Sequence, residues 1–194
     1  MKHLITNIVF LLFCFSISTY SQWGVKGGYN SSSITNSNAA KPLSTFHIGC
    51  LYDLKLSEKW YLQPEFQIVG IGCSLSDDKL VLRDGHVRIY ALEVPVNFSF
   101  RPMIRRNEKL LFDLGLYTRY GLFGNKTYEY YQFEKIDQSP FDAYNRFDAG
   151  LNLGIGLQKE QYFGFITFQQ GLFQAEKDID GYHQVFKFSV GYRF

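Results

Sequence analysis

Apolar and polar residues alternate strictly along several segments of this chain, and this pattern constrains the fold more than any other feature. The carboxy-terminal stretch reads FKFSVGYRF, with a large apolar residue at every even position from 186 to 194. A repeat of two residues is typical of a β-strand whose two faces meet different surroundings. Aromatic residues, which favour strands, make up 18% of the chain. An all-β fold is therefore predicted.

Eight such segments follow one another from residue 23 onward, and no stretch has a convincing helical pattern. They cover residues 23–32, 45–56, 60–72, 88–100, 110–123, 145–158, 162–173 and 186–194. The seventh is apolar on both faces, so its orientation stays open. The predicted fold is an eight-stranded antiparallel up-and-down transmembrane β-barrel.

The connections between these segments alternate in length. Long polar stretches follow the odd-numbered strands, and short turns such as SEK and KEQ follow even-numbered ones. The long stretches, each predicted to be a loop, are Ile34–Ser44, Cys73–Gly85, Gly124–Tyr144 and Gln174–Gln184. Long loops at one end and short turns at the other are typical of outer-membrane barrels.

Alternation alone does not say which face is inside, because a secreted, soluble lipocalin-like ligand-binding barrel would show the same stripes. Glycines favour the polar face as the interior. Many of them share that face, where they make room inside a narrow barrel but would weaken a solvated outer strand. We therefore expect the apolar face to contact lipid.

Charges on the polar face are nearly balanced, as a closed interior requires. The acids are Asp53, Glu65, Glu93, Asp113 and Asp148, and the bases are Lys26, Lys55, Arg119, Arg146, Lys187 and Arg193. From these we predict a luminal ion-pair network of Lys26, Glu65, Glu93, Asp113, Arg119, Asp148 and Lys187. Such a network would fill the lumen and leave no wide pore.

Aromatic residues gather near both ends of the predicted strands, as in a membrane-interface girdle. The short-turn end carries Trp23, Trp60, Tyr61, Phe100, Tyr162 and Phe194; the other end carries Tyr128, Tyr130, Tyr131 and Tyr144. Tyr192 and the terminal Phe194 resemble the carboxy-terminal signal by which outer-membrane barrels are recognised for insertion. The alternative is an ordinary last strand of a secreted sheet.

Residues 1–21 differ in character from the rest. Lys2 precedes an apolar run from Ile8 to Phe15, and small residues precede Gln22. This layout predicts a secretory signal peptide, with 22–194 as the barrel, although a hydrophobic first strand is the alternative. Cys50 and Cys73 would then remain, and their placement on opposite faces predicts two free thiols.

Several pieces of the sequence resemble the outer-membrane β-barrel domain proteins of Bacteroidota, the PorT-like family. They are WGVKGGYNSSSIT, LSEKWYLQPEFQIVGIG, IYALEVPVNFSFRP, LLFDLGLYTRYGL, RFDAGLNLGIGL and FSVGYRF, and the phrases around Pro64-Glu65 and Leu92–Pro95 are the most specific. The resemblance implies an eight-stranded barrel in the outer membrane of a Gram-negative cell. It implies no single activity, although the founding member is tied to protein secretion.

Catalysis is not expected, although a lipid A-modifying enzyme stays open as an alternative. The three histidines of the predicted mature chain, His47, His86 and His183, are not followed two residues later by Ser. Asp77, Asp78, Asp84 and His86 form an acidic rim segment, but their spacing matches no Ca²⁺ loop. We expect no cofactor and no metal site.

The expected function is therefore that of an integral outer-membrane protein with a structural, surface-binding or secretion and transport accessory role. Membrane lipids, lipopolysaccharide and the barrel-assembly machinery are the expected partners, and the long loops offer a contact surface for a protein or glycan. A net charge of +2 gives no strong field toward nucleic acid, which is not an expected partner.

Overall fold

The computed structural model describes residues 22–35, 40–75, 82–130, 133–176 and 179–194. Its side chains are described over most of these ranges, except at residues 40, 75, 82–84, 128–130, 133–138 and 179. The predicted signal peptide lies outside the described residues. No described helix is long and apolar enough to cross a membrane.

Within the described ranges, the fold consists of ten strands and one short 3-10 helix. The strands are β1 (Gln22–Ile34), β2 (Ala40–Lys55), β3 (Trp60–Leu75), β4 (Leu82–Phe100), β5 (Met103–Arg105), β6 (Glu108–Tyr130), β7 (Phe133–Gln138), β8 (Phe147–Lys159), β9 (Tyr162–Glu176) and β10 (Ile179–Arg193). The 3-10 helix, Pro140–Asp142, lies between β7 and β8.

Eight of these strands close into an antiparallel barrel in the order β1-β2-β3-β4-β6-β8-β9-β10, as predicted. The closing pair joins the first strand to the last, from Gly24 opposite Arg193 to Ile34 opposite His183. Closure pairs backbone donors and acceptors all round the wall, as a lipid environment requires. We call the end with the short connections 56–59, 101–107 and 160–161 the turn end, and the opposite end the loop end.

The apolar face is on the outside, as expected. On β8, Leu153 is 61% exposed while the adjacent Asn152 is 2% exposed, and the same alternation runs along the strand. The structure also orients the seventh barrel strand, β9. Phe163, Phe165, Thr167 and Gln169 are buried in the lumen, and Tyr162 and Ile166 are exposed.

Two aromatic groups bound the apolar belt. At the turn end, Trp60 packs on Phe98 and Phe100, and Tyr192 packs on Tyr162 and Phe194. At the loop end the outward aromatic pairs are Tyr29–Phe188, Phe46–Tyr90, Tyr90–Phe123, Phe147–Phe173 and Phe168–Phe186. Tyr144 is 3% exposed inside the barrel, so its predicted place in a loop-end girdle is wrong. The side chains of Tyr128, Tyr130 and Tyr131 lie outside the described ones.

The long polar stretches are not mainly loops, which corrects the prediction. β6 runs on to Tyr130 and pairs with β4 as far as Leu82 and with β7 on its other side. Each of the other three stretches likewise contributes residues to two strands. Polar outward side chains in these stretches hid strands that extend beyond the apolar belt.

Inward glycines make room for aromatic rings. A β-carbon at Gly154 would lie 2.3 Å from the Phe165 ring, and one at Gly156 would lie 2.2 Å from it. At Gly191 it would lie 2.2 Å from the Phe163 ring. The prediction that polar-face glycines serve packing in a narrow lumen is confirmed at these three positions.

Candidate functional site: the filled lumen

The centre of the lumen is built around the carboxylate of Glu93, which is fully buried. Arg119, its register partner on β6, donates from Nη2 at 2.7 Å and from Nε at 2.9 Å to Oε2. Lys187 donates from Nζ at 2.5 Å to Oε1, and the Gln169 amide donates to the same oxygen at 3.0 Å. One carboxylate thus binds two cations, and its two oxygens accept four hydrogen bonds, which suits a charge with no access to water.

A second carboxylate, Glu65, lies one layer nearer the turn end. Lys26 Nζ is 2.6 Å from Oε2, and the amides of Gln63 and Asn97 donate to Oε1 at 2.9 and 3.1 Å. Gln67 also donates to Oε2. Glu65 and Glu93 each have their own cation, so they do not form a proton-sharing pair of the kind that acid–base catalysis uses.

Arg119 also reaches toward the loop end. Its Nη1 lies 3.3 Å from Asp148 Oδ2, to which the Tyr117 hydroxyl donates at 2.9 Å. Its guanidinium carbon lies 4.6 Å from the centre of the Tyr117 ring. Arg119 therefore joins the Glu93 layer to the Asp148 layer.

Asp113 lies in the lumen but outside these clusters. It faces Ser99 across the β4–β6 pair, and its buried Oδ1 has no hydrogen-bond partner among the described residues. Six of the seven predicted network residues are therefore brought into ion pairs, in two groups: Lys26 with Glu65, and Glu93 with Arg119, Lys187 and, through Arg119, Asp148.

The turn end has an ion cluster that the sequence prediction missed. Arg101 binds both carboxylate oxygens of Asp53, at 2.7 and 2.6 Å, and Arg193 Nε donates to the same group at 2.8 Å. Arg101 follows β4 directly and continues the inward alternation of Asn97 and Ser99, which was the available signal. Lys55 and Arg146, by contrast, are exposed at the barrel ends rather than luminal.

Neutral polar side chains, which the alternation also places on the inner face, complete the lumen between the charges. His47 Nδ1 lies 2.6 Å from Asn30 Oδ1, and His47 Nε2 lies 2.9 Å from Ser189 Oγ. Gly28 lies between His47 and Ser189 on the neighbouring strands, and its missing side chain lets the two meet. The arrangement resembles a Ser-His-Asn triad, but all three side chains are at most 4% exposed. A nucleophile needs an approach path for its substrate, and none of these groups offers one.

The loop end of the lumen is apolar rather than charged. Its buried cluster comprises Ile34, Val69, Ile71, Cys73, Val87, Ile89, Ala91, Tyr144, Ala175 and Val185. Phe141, from the short 3-10 helix, packs against this cluster, and the Arg146 guanidinium stacks on its ring at 3.8 Å. The segment between β7 and β8 thus folds back into the barrel mouth and covers it.

Among the described side chains, the remaining candidates do not form a site. His86 is half-buried on β4, His183 is buried near the loop end, and Asp77 and Asp78 lie outside the described residues. No three described His, Cys, Asp or Glu side chains are placed to hold a metal ion. Cys50 and Cys73 are both free thiols, as predicted.

Comparison with known proteins agrees with this architecture. The sequence matches the family described as outer membrane protein beta-barrel domain over residues 15–175. No curated protein matches it.

The chain is similar to several solved outer-membrane proteins. One is Ail, the attachment invasion locus protein of Yersinia pestis, which aligns at 17% identity and a TM-score of 0.48; the alignment covers 90% of this chain and 99% of Ail. OprG of Pseudomonas aeruginosa aligns at 13% identity and a TM-score of 0.49, covering 90% and 96%. Neisserial surface protein A aligns at 8% identity and a TM-score of 0.47, covering 89% and 97%. With a family match over most of its length, this chain belongs to the outer membrane protein beta-barrel domain family and is a protein of the outer membrane.

Proposed function

We propose that this barrel is neither a pore nor an enzyme and that it acts through the surface of its loop end, as a binding or transport accessory protein. The observation that carries the proposal is the filled lumen. The cavity enclosed by Lys26, Glu65, Asn97, Lys187 and their neighbours measures about 10 Å³. That volume holds about one water molecule.

The loop end is the part of the barrel that can bind a partner outside the membrane. In outer-membrane barrels the short turns are periplasmic and the longer connections are extracellular. On this orientation β4, β6 and the β6–β7 hairpin extend from the apolar belt toward the cell exterior. A surface protein or glycan is the partner class that such a structure would meet, and lipopolysaccharide would surround its base.

The resemblance to PorT-like proteins of Bacteroidota supports the accessory role in secretion or transport. A secretory signal in residues 1–21 and delivery to the barrel-assembly machinery through the terminal aromatic residues belong to the same proposal. A lipid A-modifying activity is disfavoured because Ser189, His47 and Asn30 are buried in the lumen. Unchanged lipid A mass spectra with and without the gene are the expected result.

Conductance measurements test the filled lumen. The purified barrel in a planar bilayer should show no stable ion-conducting steps at neutral pH. Stable open steps in the native protein would refute the proposal.

Photo-crosslinking on intact cells tests the site of action. A photoreactive amino acid at the exposed Asn125 of β6 should capture a discrete partner, whereas the same probe at the exposed Lys59 of the turn end should not. Identical adduct patterns from the two positions would contradict a loop-end function.

A further inference from the structure

At one lipid-facing glycine, no neighbouring atom would clash with a larger side chain. Gly164 on β9 points outward, and a β-carbon built there would meet no atom within 4 Å. Glycine in a strand interior is destabilising compared with residues that have a side chain. Its presence here, unlike that of Gly154 or Gly156, is not explained by the interior of the barrel.

The missing side chain opens a hollow in the apolar belt. Gly164 is paired with Leu157 on one side and Val190 on the other, and their side chains form the walls. The hollow has a volume of about 570 Å³ and is closed toward the loop end by Ile155, Ile166 and Phe188. The wall strands stand two strand spacings apart, about 9–10 Å, so the gap left between their side chains fits one alkyl chain.

At the turn end this hollow reaches a polar rim. A second hollow of about 380 Å³ shares Leu157 and Gly164 with the first and is lined by Lys159, Tyr162 and Glu108. The Lys159 side chain is 75% exposed, and its ammonium lies 3.9 Å from the Glu108 carboxylate, too far for a hydrogen bond. The two groups are within ion-pair distance, but no hydrogen bond to Glu108 uses the three donors of the ammonium, which can bind a second anion.

We propose that this surface, the Gly164 groove, binds one glycerophospholipid of the periplasmic leaflet. One acyl chain lies over Gly164 between Leu157 and Val190, and the phosphodiester lies at the Lys159 ammonium and the Tyr162 hydroxyl. The charge complementarity at the rim selects a phospholipid over an uncharged alkyl chain or a second barrel. The leaflet assignment follows from the orientation proposed above, whereas the binding itself does not depend on any loop-end partner.

Native mass spectrometry of the full chain, released from detergent micelles containing phosphatidylglycerol, tests the proposal. The native protein should retain one phospholipid per barrel, and Gly164→Leu should lose it, since leucine fills the groove. Ala149→Leu is the matched control because it adds nearly the same bulk at an outward position of the neighbouring strand β8, away from the groove, and it should retain the lipid. Lys159→Gln should lower retention several-fold, whereas Lys59→Gln, at the same rim but off the groove, should not.

Heat-modifiable gel migration establishes that each variant is folded before comparison. A parallel titration with hexadecanol, an uncharged single-chain lipid, distinguishes phospholipid recognition from binding of any alkyl chain, and equal retention of the two would overturn the assignment. Equal phospholipid retention by the native protein and Gly164→Leu would overturn the groove itself. If the native protein gives ions of a dimer and Gly164→Leu does not, the groove binds a second copy of the chain, and the proposal is refuted.

Discussion

Glu93 and Lys187 stand on opposite sides of the barrel and meet on its axis, with 2.5 Å between carboxylate and ammonium. Four strand steps separate β4 from β10 in either direction round the wall. The pair therefore joins the two strands that backbone pairing leaves farthest apart. This ion pair links opposite walls of the barrel and fills the lumen at mid-depth. The shape of the barrel therefore depends on a few buried charges.

Removing Arg119 should destabilise the barrel strongly. Arg119→Ala leaves Glu93 with one cation and Asp148 with none, and breaking a buried ion pair typically costs about 3–5 kcal/mol. Equilibrium unfolding in urea, followed by tryptophan fluorescence in detergent, should show a lower midpoint. The exposed Lys59→Ala should leave the midpoint unchanged, and an equal midpoint for Arg119→Ala would show that the network contributes no stability.

The cross-lumen tie itself can be isolated by a double-mutant cycle. Glu93→Gln and Lys187→Met should each destabilise, because each leaves a buried charge short of a partner. The double variant should lose less than the sum, by about 0.5–3 kcal/mol, as residues in direct contact do. The same cycle with Glu93→Gln and Lys26→Met, whose side chains bind different partners, should be closer to additive.

The inward glycines should contribute to the stability of the barrel as the buried charges do, because they leave room for aromatic rings. Gly154→Ala forces the Phe165 ring to move, and overpacking of this kind costs about 1–3 kcal/mol. Adding Phe165→Leu should recover part of the loss, because the ring edge is what the new methyl group meets. Gly164→Ala is the control, and the open space at that position predicts no loss of stability in the same urea experiment.

The Ser189–His47–Asn30 arrangement should behave as structure and not as a catalytic triad. A fluorophosphonate probe should not label the folded native protein, because Ser189 is 4% exposed. Ser189→Ala should lower stability by about 1–3 kcal/mol, since it leaves a buried His47 nitrogen without its partner. Labelling that disappears in Ser189→Ala would instead show that substrates reach the lumen.

The sequence pattern predicts the barrel well because a period of two separates the two faces of each strand, and the glycines and balanced charges of the polar face then mark that face as the interior. It predicts the inward charges for the same reason and places Glu65 and Glu93 within reach of Arg119 or Lys187. It does not say which carboxylate each cation binds, since Lys187 reaches Glu93 across the lumen and no spacing along the chain encodes that. Arg101 was missed because it lies one residue beyond the last apolar position of β4. The strands beyond the belt were taken for loops because their outward faces are polar and the apolar stripe of the lipid-facing side stops short of them.

Phe194 should be needed for assembly in cells but not for stability. Phe194 is 68% exposed and packs on Tyr192 at the turn end, so Phe194→Ala should refold in detergent with an unchanged urea midpoint. In cells the same change should lower the heat-modifiable fraction in the outer membrane, because the insertion signal is proposed to end on this residue. Phe188→Ala removes another outward aromatic residue of the same strand and is the matched control. If both variants assemble like the native protein, the terminal aromatic residue is not the signal.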